Sequence, residues 1–128
     1  MQEKDLFEYA VIRVVPRVER EEFLNVGIVL YCPKQKYLSA KFSIDEARLQ
    51  AFSPQLDIEE VKTFLKAFCK ICKGAPDSGP IGMLAIAERF RWLSATRSTV
   101  VQTSKTHPGL TSNAGDTLER LFTELVLQ

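Results

Sequence analysis

Histidine is nearly absent from this chain: His107 is the only one. A histidine that serves a Ser or Cys nucleophile needs a third group to orient it, and no G-x-S-x-G elbow occurs. The stretch Thr106-His107-Pro108-Gly109 can bring His107 to a pocket rim, but the plainer reading is a loop histidine. Cysteine is scarce too, with three residues and no framework spacing, which excludes a disulfide scaffold and indicates reduced thiols. Cys69-Lys70-Ile71-Cys72 is a C-x-x-C, yet it falls at the end of a long helical pattern, where the helix dipole opposes a thiolate. Cys32, Cys69, Cys72 and His107 are suitable zinc ligands by type, but their spacing is scattered, and buried apolar thiols are the simpler account. Neither G-x-x-x-x-G-K-[ST] nor G-x-G-x-x-G occurs, so a standard nucleotide-dependent enzyme is disfavoured. The chain also lacks an excess of either charge, with 17 Lys+Arg against 16 Asp+Glu. That balance gives no global pull toward nucleic acid or an anionic membrane. No apolar run approaches the length of a membrane span, and the polar, acidic start Met-Gln-Glu-Lys-Asp does not read as a secretory signal. These absences lead to an expectation of a cytoplasmic protein with no membrane contact, no cofactor and no metal.

What is present is an apolar supply sufficient for a real core: 45% of 128 residues, which suits a single domain spanning 1–128. Residues 7–15 and 23–32 are rich in β-branched and aromatic types, and each run stops at a proline, Pro16 and Pro33. A third strand is predicted over 36–43, and short links favour an antiparallel meander. Strict alternation puts Ala10, Ile12 and Val14 on one core face with Leu24, Val26, Ile28, Leu30 and Cys32, and with Leu38, Ala40 and Phe42. The other face then carries Tyr9, Val11, Arg13, Asn25, Gly27, Tyr31 and Tyr37. If Val15 pairs near Phe23, Arg13 falls opposite Asn25 and Val11 opposite Gly27.

After residue 43 the pattern turns helical. Capping boxes are read at Ser43 with Glu46, Asp57 with Glu60, and Asp116 with Glu119. Helices are predicted over 45–52, 58–73 with Gly74 as C-cap, 83–93 and 117–127. Residues 97–104 read as a short polar strand, and 105–115 as loop. The expected fold is α+β: a mostly antiparallel sheet of about four strands, beginning with a three-stranded meander, with about four helices packed on one face.

Three groups of residues carry possible function. Arg13, Asn25 and Gly27 combine a planar cation, an amide and an open backbone, which suits a carboxylate or phosphate. The alternative is internal, with Arg13 paired to Glu21 or Glu22 and Gly27 marking a bulge. Arg91, Trp92, Arg97 and Lys105 interleave cations with an aromatic, as in surfaces that stack bases or peptides, and Thr96, Ser98, Thr99, Thr103 and Ser104 add hydroxyls. Read as a helix, that stretch instead buries Ile86, Phe90 and Leu93 and leaves Glu88, Arg89 and Arg91 in solvent. The third group is the open sheet face with Tyr9, Arg13, Asn25, Tyr31 and Tyr37, residue types that anchor protein interfaces.

Four segments carry a family resemblance: 7–27 (FEYAVIRVVP, then REEFLNVG), Asp45-Glu46-Ala47-Arg48-Leu49, Glu88-Arg89-Phe90-Arg91-Trp92-Leu93, and Leu118-Glu119-Arg120-Leu121-Phe122. On these the chain resembles a family of short bacterial proteins catalogued as domain of unknown function 3037. The resemblance implies a protein partner, a kinase of the type found in toxin–antitoxin systems, and no catalytic residue. The expected function is therefore a non-catalytic protein-interaction module. The alternatives are nucleic-acid or nucleotide binding through residues 89–105, and an enzyme using Arg13, Asn25, Glu22 or His107.

Overall fold

The structure is a computed structural model that describes residues 3–95, 97 and 99–127. Its strands are β1 (Asp5–Val14), β2 (Leu24–Cys32), β3 (Tyr37–Phe42), β4 (Val101–Thr103) and β5 (His107–Thr111). Its helices are α1 (Glu46–Phe52), α2 (Ile58–Lys73), α3 (Gly79–Gly82), α4 (Ile86–Leu93) and α5 (Ala114–Leu125). The class is α+β, and β1, β2 and β3 form the expected antiparallel meander. The sheet runs β3-β2-β1-β4, and β5 joins the same edge of β1 beyond β4. β1 is thus the central strand. Its Ile12–Val14 end pairs with β4 and its Asp5–Tyr9 end with β5, both antiparallel.

Arg13 does stand opposite Asn25, but Val11 pairs with Ile28 rather than Gly27. The register shifts between Ile12 and Arg13, because β2 holds one residue too many there: Ile12 faces Gly27 and Arg13 faces Asn25, leaving Val26 as the extra residue of a bulge. A bulge reverses which parity faces which side. Val26 and Val29 therefore join Ala10, Ile12 and Val14 in one core, whereas Ile28, Leu30 and Cys32 belong to a second core on the opposite face.

This corrects the expectation of helices on one face only. The first core is closed by Leu49 of α1, by Val61, Leu65 and Phe68 of α2 and by Phe90 and Leu93 of α4. The second is closed by α5, through Leu118, Leu121 and Phe122, against Phe7, Val11, Ile28, Leu30 and Cys32. A sheet with apolar side chains on both faces leaves hydrocarbon in water unless each face is covered, at about 25 cal/mol per Å² of apolar surface, so α5 takes the remaining side.

Local signals explain most boundaries. Asp57 caps α2 by accepting from Glu60 N at 3.2 Å, and Gly74 ends the helix in the left-handed conformation at φ 63°. α1 is capped by Asp45 rather than Ser43, and α5 by Asn113 rather than Asp116, so α5 starts three residues earlier than the capping box suggested. Residues 107–111 are a strand, not a loop. β5 lies at the sheet edge, where Pro108 is tolerated, and Gly109 lets the Phe7 ring lie across it: a Cβ there would sit 2.5 Å from the ring. The predicted strand 97–104 shortens to Val101–Thr103, and Thr96 and Ser98 lie outside the described residues.

Gly27 is the tightest point of the meander. A Cβ on it would lie 2.6 Å from the Lys41 carbonyl oxygen of β3 and 3.0 Å from Phe42 Cβ. Gly27→Ala is expected to destabilise the fold by about 1–3 kcal/mol through overpacking against backbone, read as a lowered urea midpoint with an unchanged slope.

Arg89 reaches back to the end of α2, donating from Nη1 to Ile71 O at 3.0 Å and Cys72 O at 2.8 Å, and from Nε to Leu84 O at 3.1 Å. It is therefore not a solvated side chain of α4 but the clasp between α4 and the carbonyl end of α2. Arg89→Met should cost about 1.5–3 kcal/mol in chemical denaturation, with Arg89→Lys recovering only part of it because one ammonium cannot reproduce the fork.

Candidate functional site

The polar groups that stood out in the sequence do not converge. Arg13 lies with its guanidinium 3.9 Å from the centroid of the Phe23 ring, and neither Glu21 nor Glu22 pairs with it. Glu22 instead bonds Arg20 at 2.5 Å on the surface. Asn25 donates from Nδ2 to Leu125 O at 3.2 Å, tying β2 to the last turn of α5. Arg13 Nε and Asn25 Oδ1 are shielded from solvent and have no partner among the described residues. Gly27 is packed against β3 and offers no approach to a ligand. His107 opens β5, exposed, with its ring 5.2 Å from that of Tyr9. Tyr9 and Arg13 are four residues apart on β1, roughly 13 Å along the strand, so His107 and Arg13 do not share a site.

The expected open sheet face does not exist as such. Tyr9 and Tyr37 pack into the α5 core, and Tyr31 lies on the other side of the sheet, its ring 5.2 Å from Phe90 of α4. The bulge again is the reason, since it puts Tyr31 and Tyr9 on opposite faces although both are odd-numbered.

The cysteines divide in the same way. Cys32 belongs to the α5 core and donates to Leu6 O at 3.5 Å, while Cys69 and Cys72 sit on α2 beyond the sheet. Among the described residues no group of three or more His, Cys, Asp or Glu is placed to hold a metal. Burial pushes the Cys69 thiol up and pushes Cys72 up to about 12. Both are poor nucleophiles, which removes the redox reading of the C-x-x-C.

The basic and aromatic stretch is split. Arg91 and Lys105 are exposed, whereas Arg97 folds back over Trp92, its guanidinium 3.9 Å from the ring centroid and donating to the Trp92 carbonyl oxygen. Burial lowers the pKa of Arg97. Of the hydroxyls, Thr99 donates to Val101 O at 2.6 Å, and Ser104 accepts from Val11 N and donates to Lys105 O, each at 2.8 Å. Those two shape the backbone around β4. Thr103 Oγ1 is buried without a partner among the described residues.

Trp92, Arg97 and Thr103 meet in one place. They line a groove of about 380 Å³ between α2, the end of α4 and β4. Phe64, Ala67, Phe68 and Ile71 form its α2 wall, Leu93 and Val101 close it, and Glu60 is its acidic lining residue. The groove is mainly apolar, and 380 Å³ lies within the range of ordinary ligand sites. A larger cavity, 480 Å³, opens beside Pro16 and Pro54, but its cations Arg17 and Arg20 are already paired with Glu19 and Glu22. Sequence reasoning identified the rim of the groove, Trp92 and Arg97, and missed its wall. The available signal was that the apolar stripe of α2 is wider than the core needs: Phe64 is only half-buried and Ala67 is exposed.

Fold and site together describe a small α+β protein with a central sheet covered on both faces and an apolar groove at one sheet edge. A family model described as "Protein of unknown function (DUF3037)" matches residues 9–126, and the chain belongs to that family. No curated protein and no solved structure matches it. No helix among the described residues is long and apolar enough to cross a membrane.

The two α2 thiols give a direct check on the first core. Iodoacetamide at pH 8 should label Cys69 first, and Cys72 only at the rate of unfolding, as followed by mass spectrometry. The raised Cys72 pKa also has a defined sign. The unfolded thiol loses its proton near pH 9, the folded one not until about 12, so stability present below pH 9 is lost as pH rises through that window. The urea midpoint should fall between pH 9 and 11, less steeply in Cys72→Ala.

Proposed function

We propose that this protein is a non-catalytic module that binds a partner protein through the groove between α2, α4 and β4. The observation that carries this reading is an apolar groove rimmed by Trp92 and Arg97, its wall holding the Thr103 hydroxyl, which is buried and has no partner among the described residues. Trp and Arg are the types that most often dominate interface energetics, and an apolar floor beneath them supplies the desolvated centre such anchors need. The polar groups a catalytic reading would use are dispersed: Asn25 bonds the Leu125 carbonyl, Glu22 pairs with Arg20 on the surface, His107 lies against Tyr9 and Arg13 lies over the Phe23 ring.

The reading is tested with tagged protein isolated from its native cells after nuclease treatment. The first partner to assay is a kinase of the toxin–antitoxin type, which the family resemblance implied. Ala67 is exposed in the groove wall, so Ala67→Arg fills the groove without disturbing the core. A stoichiometric partner should co-elute with the wild type, and its affinity should fall at least about tenfold for Ala67→Arg, a difference of about 1.4 kcal/mol. Lys105→Ala, outside the groove, should bind as wild type. A partner retained fully by Ala67→Arg would refute the assignment of this surface.

A further inference from the structure

The edge of β4 makes the occupant of this groove more specific. β4 pairs only with β1 among the described strands. Ser104 N donates to Val11 O, and Val15 N donates to Val100 O, so residues 100 and 104 turn their backbone groups toward β1. In an antiparallel pair this orientation alternates, which turns Gln102 the same way and directs the N–H and C=O groups of Val101 and Thr103 outward. Thr99 Oγ1 already occupies the Val101 carbonyl at 2.6 Å. Among the described residues nothing bonds the other three outward groups, Val101 N–H, Thr103 N–H and Thr103 C=O. The other late strand, β5, carries Pro108, a residue that blunts an edge, whereas Val101-Gln102-Thr103 carries neither proline nor charge and is guarded only by its shortness.

The groove lies beside that edge. Val101 and Thr103 pair with Val14 and Ile12, which face the α2 core, so their side chains point to the α2 side of the sheet. A strand added about 4.8 Å beyond β4 would alternate its side chains in the same way, one set passing under α2 beside Phe64, Ala67 and Ile71 and the other into solvent. Arg97 supplies a charge criterion. It is partly buried, and among the described residues no carboxylate pairs with it; Glu60, which also lines the groove, makes no ion pair with it. A cation held in this way favours an anionic neighbour.

Building on the module reading above, we infer that the groove takes an extended segment of the partner. The segment adds as a strand to the free edge of β4, inserts alternate apolar side chains beside α2, and presents a carboxylate to Arg97. With three outward backbone groups at the edge, the inserted side chains supply most of the affinity and the strand pairing sets register.

The test uses acetylated ten-residue peptides in which Val, Leu or Phe alternates with Ser or Thr. One Asp is walked through the positions, and a matching set carries Lys instead. Trp92 is the only tryptophan, so its fluorescence reports occupancy directly. Asp peptides should bind, and Lys peptides should bind at least about tenfold more weakly. Arg97→Gln should remove that preference, and hydrogen exchange at the Thr103 amide should slow on binding. Methylating the peptide amides that would face β4 should weaken binding by a similar factor. Peptides that bind and are lost in Ala67→Arg, yet leave Thr103 exchange unchanged, would overturn the strand inference while the module reading stands. Absence of peptide binding would also overturn it, with partner capture by wild type and Ala67→Arg still deciding the module reading. Saturable binding of decanoate in place of any peptide would assign the groove to a small anionic amphiphile and overturn both.

Discussion

One extra residue in β2, Val26, controls the arrangement of almost everything else. With Ile12 opposite Gly27 and Arg13 opposite Asn25, the bulge reverses the facing of β2 within a single step. Above it, Ile28, Leu30 and Cys32 turn toward α5, while below it Leu24 and Val26 turn toward α1 and α2. Both faces of β1 and β2 are therefore apolar, and a two-sided apolar sheet requires a helical layer on each side. The bulge also lets Gly27 sit against the Lys41 carbonyl of β3, at a position where no larger residue fits.

The second layer is a single helix, α5, held at both ends by polar contacts. At its start, Gln35 accepts from Ala114 N at 2.9 Å and donates to Asp5 Oδ2 at 3.1 Å, linking the β2–β3 turn, the beginning of β1 and the helix N-terminus. At its far end Asn25 bonds the Leu125 carbonyl. Along its side, Lys41 reaches Glu119 and lies 4.9 Å from the Phe122 ring centroid. The exposed ion pair itself contributes little, about 0–1 kcal/mol, so apolar burial carries the docking and the polar contacts set its register. Arg89 performs a comparable task on the other face, where α4 meets the end of α2.

The groove is a consequence of this layering. α2 covers the first core with Val61, Leu65, Phe68 and Ile71, and its half-buried Phe64 and exposed Ala67 continue that surface beside β4, where Phe68 and Ile71 also line the groove. β4 is the last strand on its side of the sheet, so nothing among the described strands fills the space beyond it beneath α2. Trp92 and Arg97 close one boundary of that space. The groove wall is apolar at the surface because α2 continues its core-covering face past the edge strand of the sheet.

Local chemistry in the sequence determined the elements: the β-branched runs ending at Pro16 and Pro33, the Asp57 cap and Gly74 stop of α2, and the α+β class all follow from interactions within a few residues. The Arg13–Asn25 pairing was legible for the same reason, since the short link between the first two strands limits the register. Tertiary structure alone decided which face each strand residue occupies, because a one-residue bulge has no distinct sequence mark and reverses parity beyond it. It decided that Pro108 and Gly109 belong to an edge strand, since only the Phe7 ring across Gly109 makes that glycine informative. It also decided that Trp92 and Arg97, five residues apart, share a rim with Thr103 and Phe64. That grouping depends on where α2 overhangs β4, a distance set by packing between segments far apart in the chain.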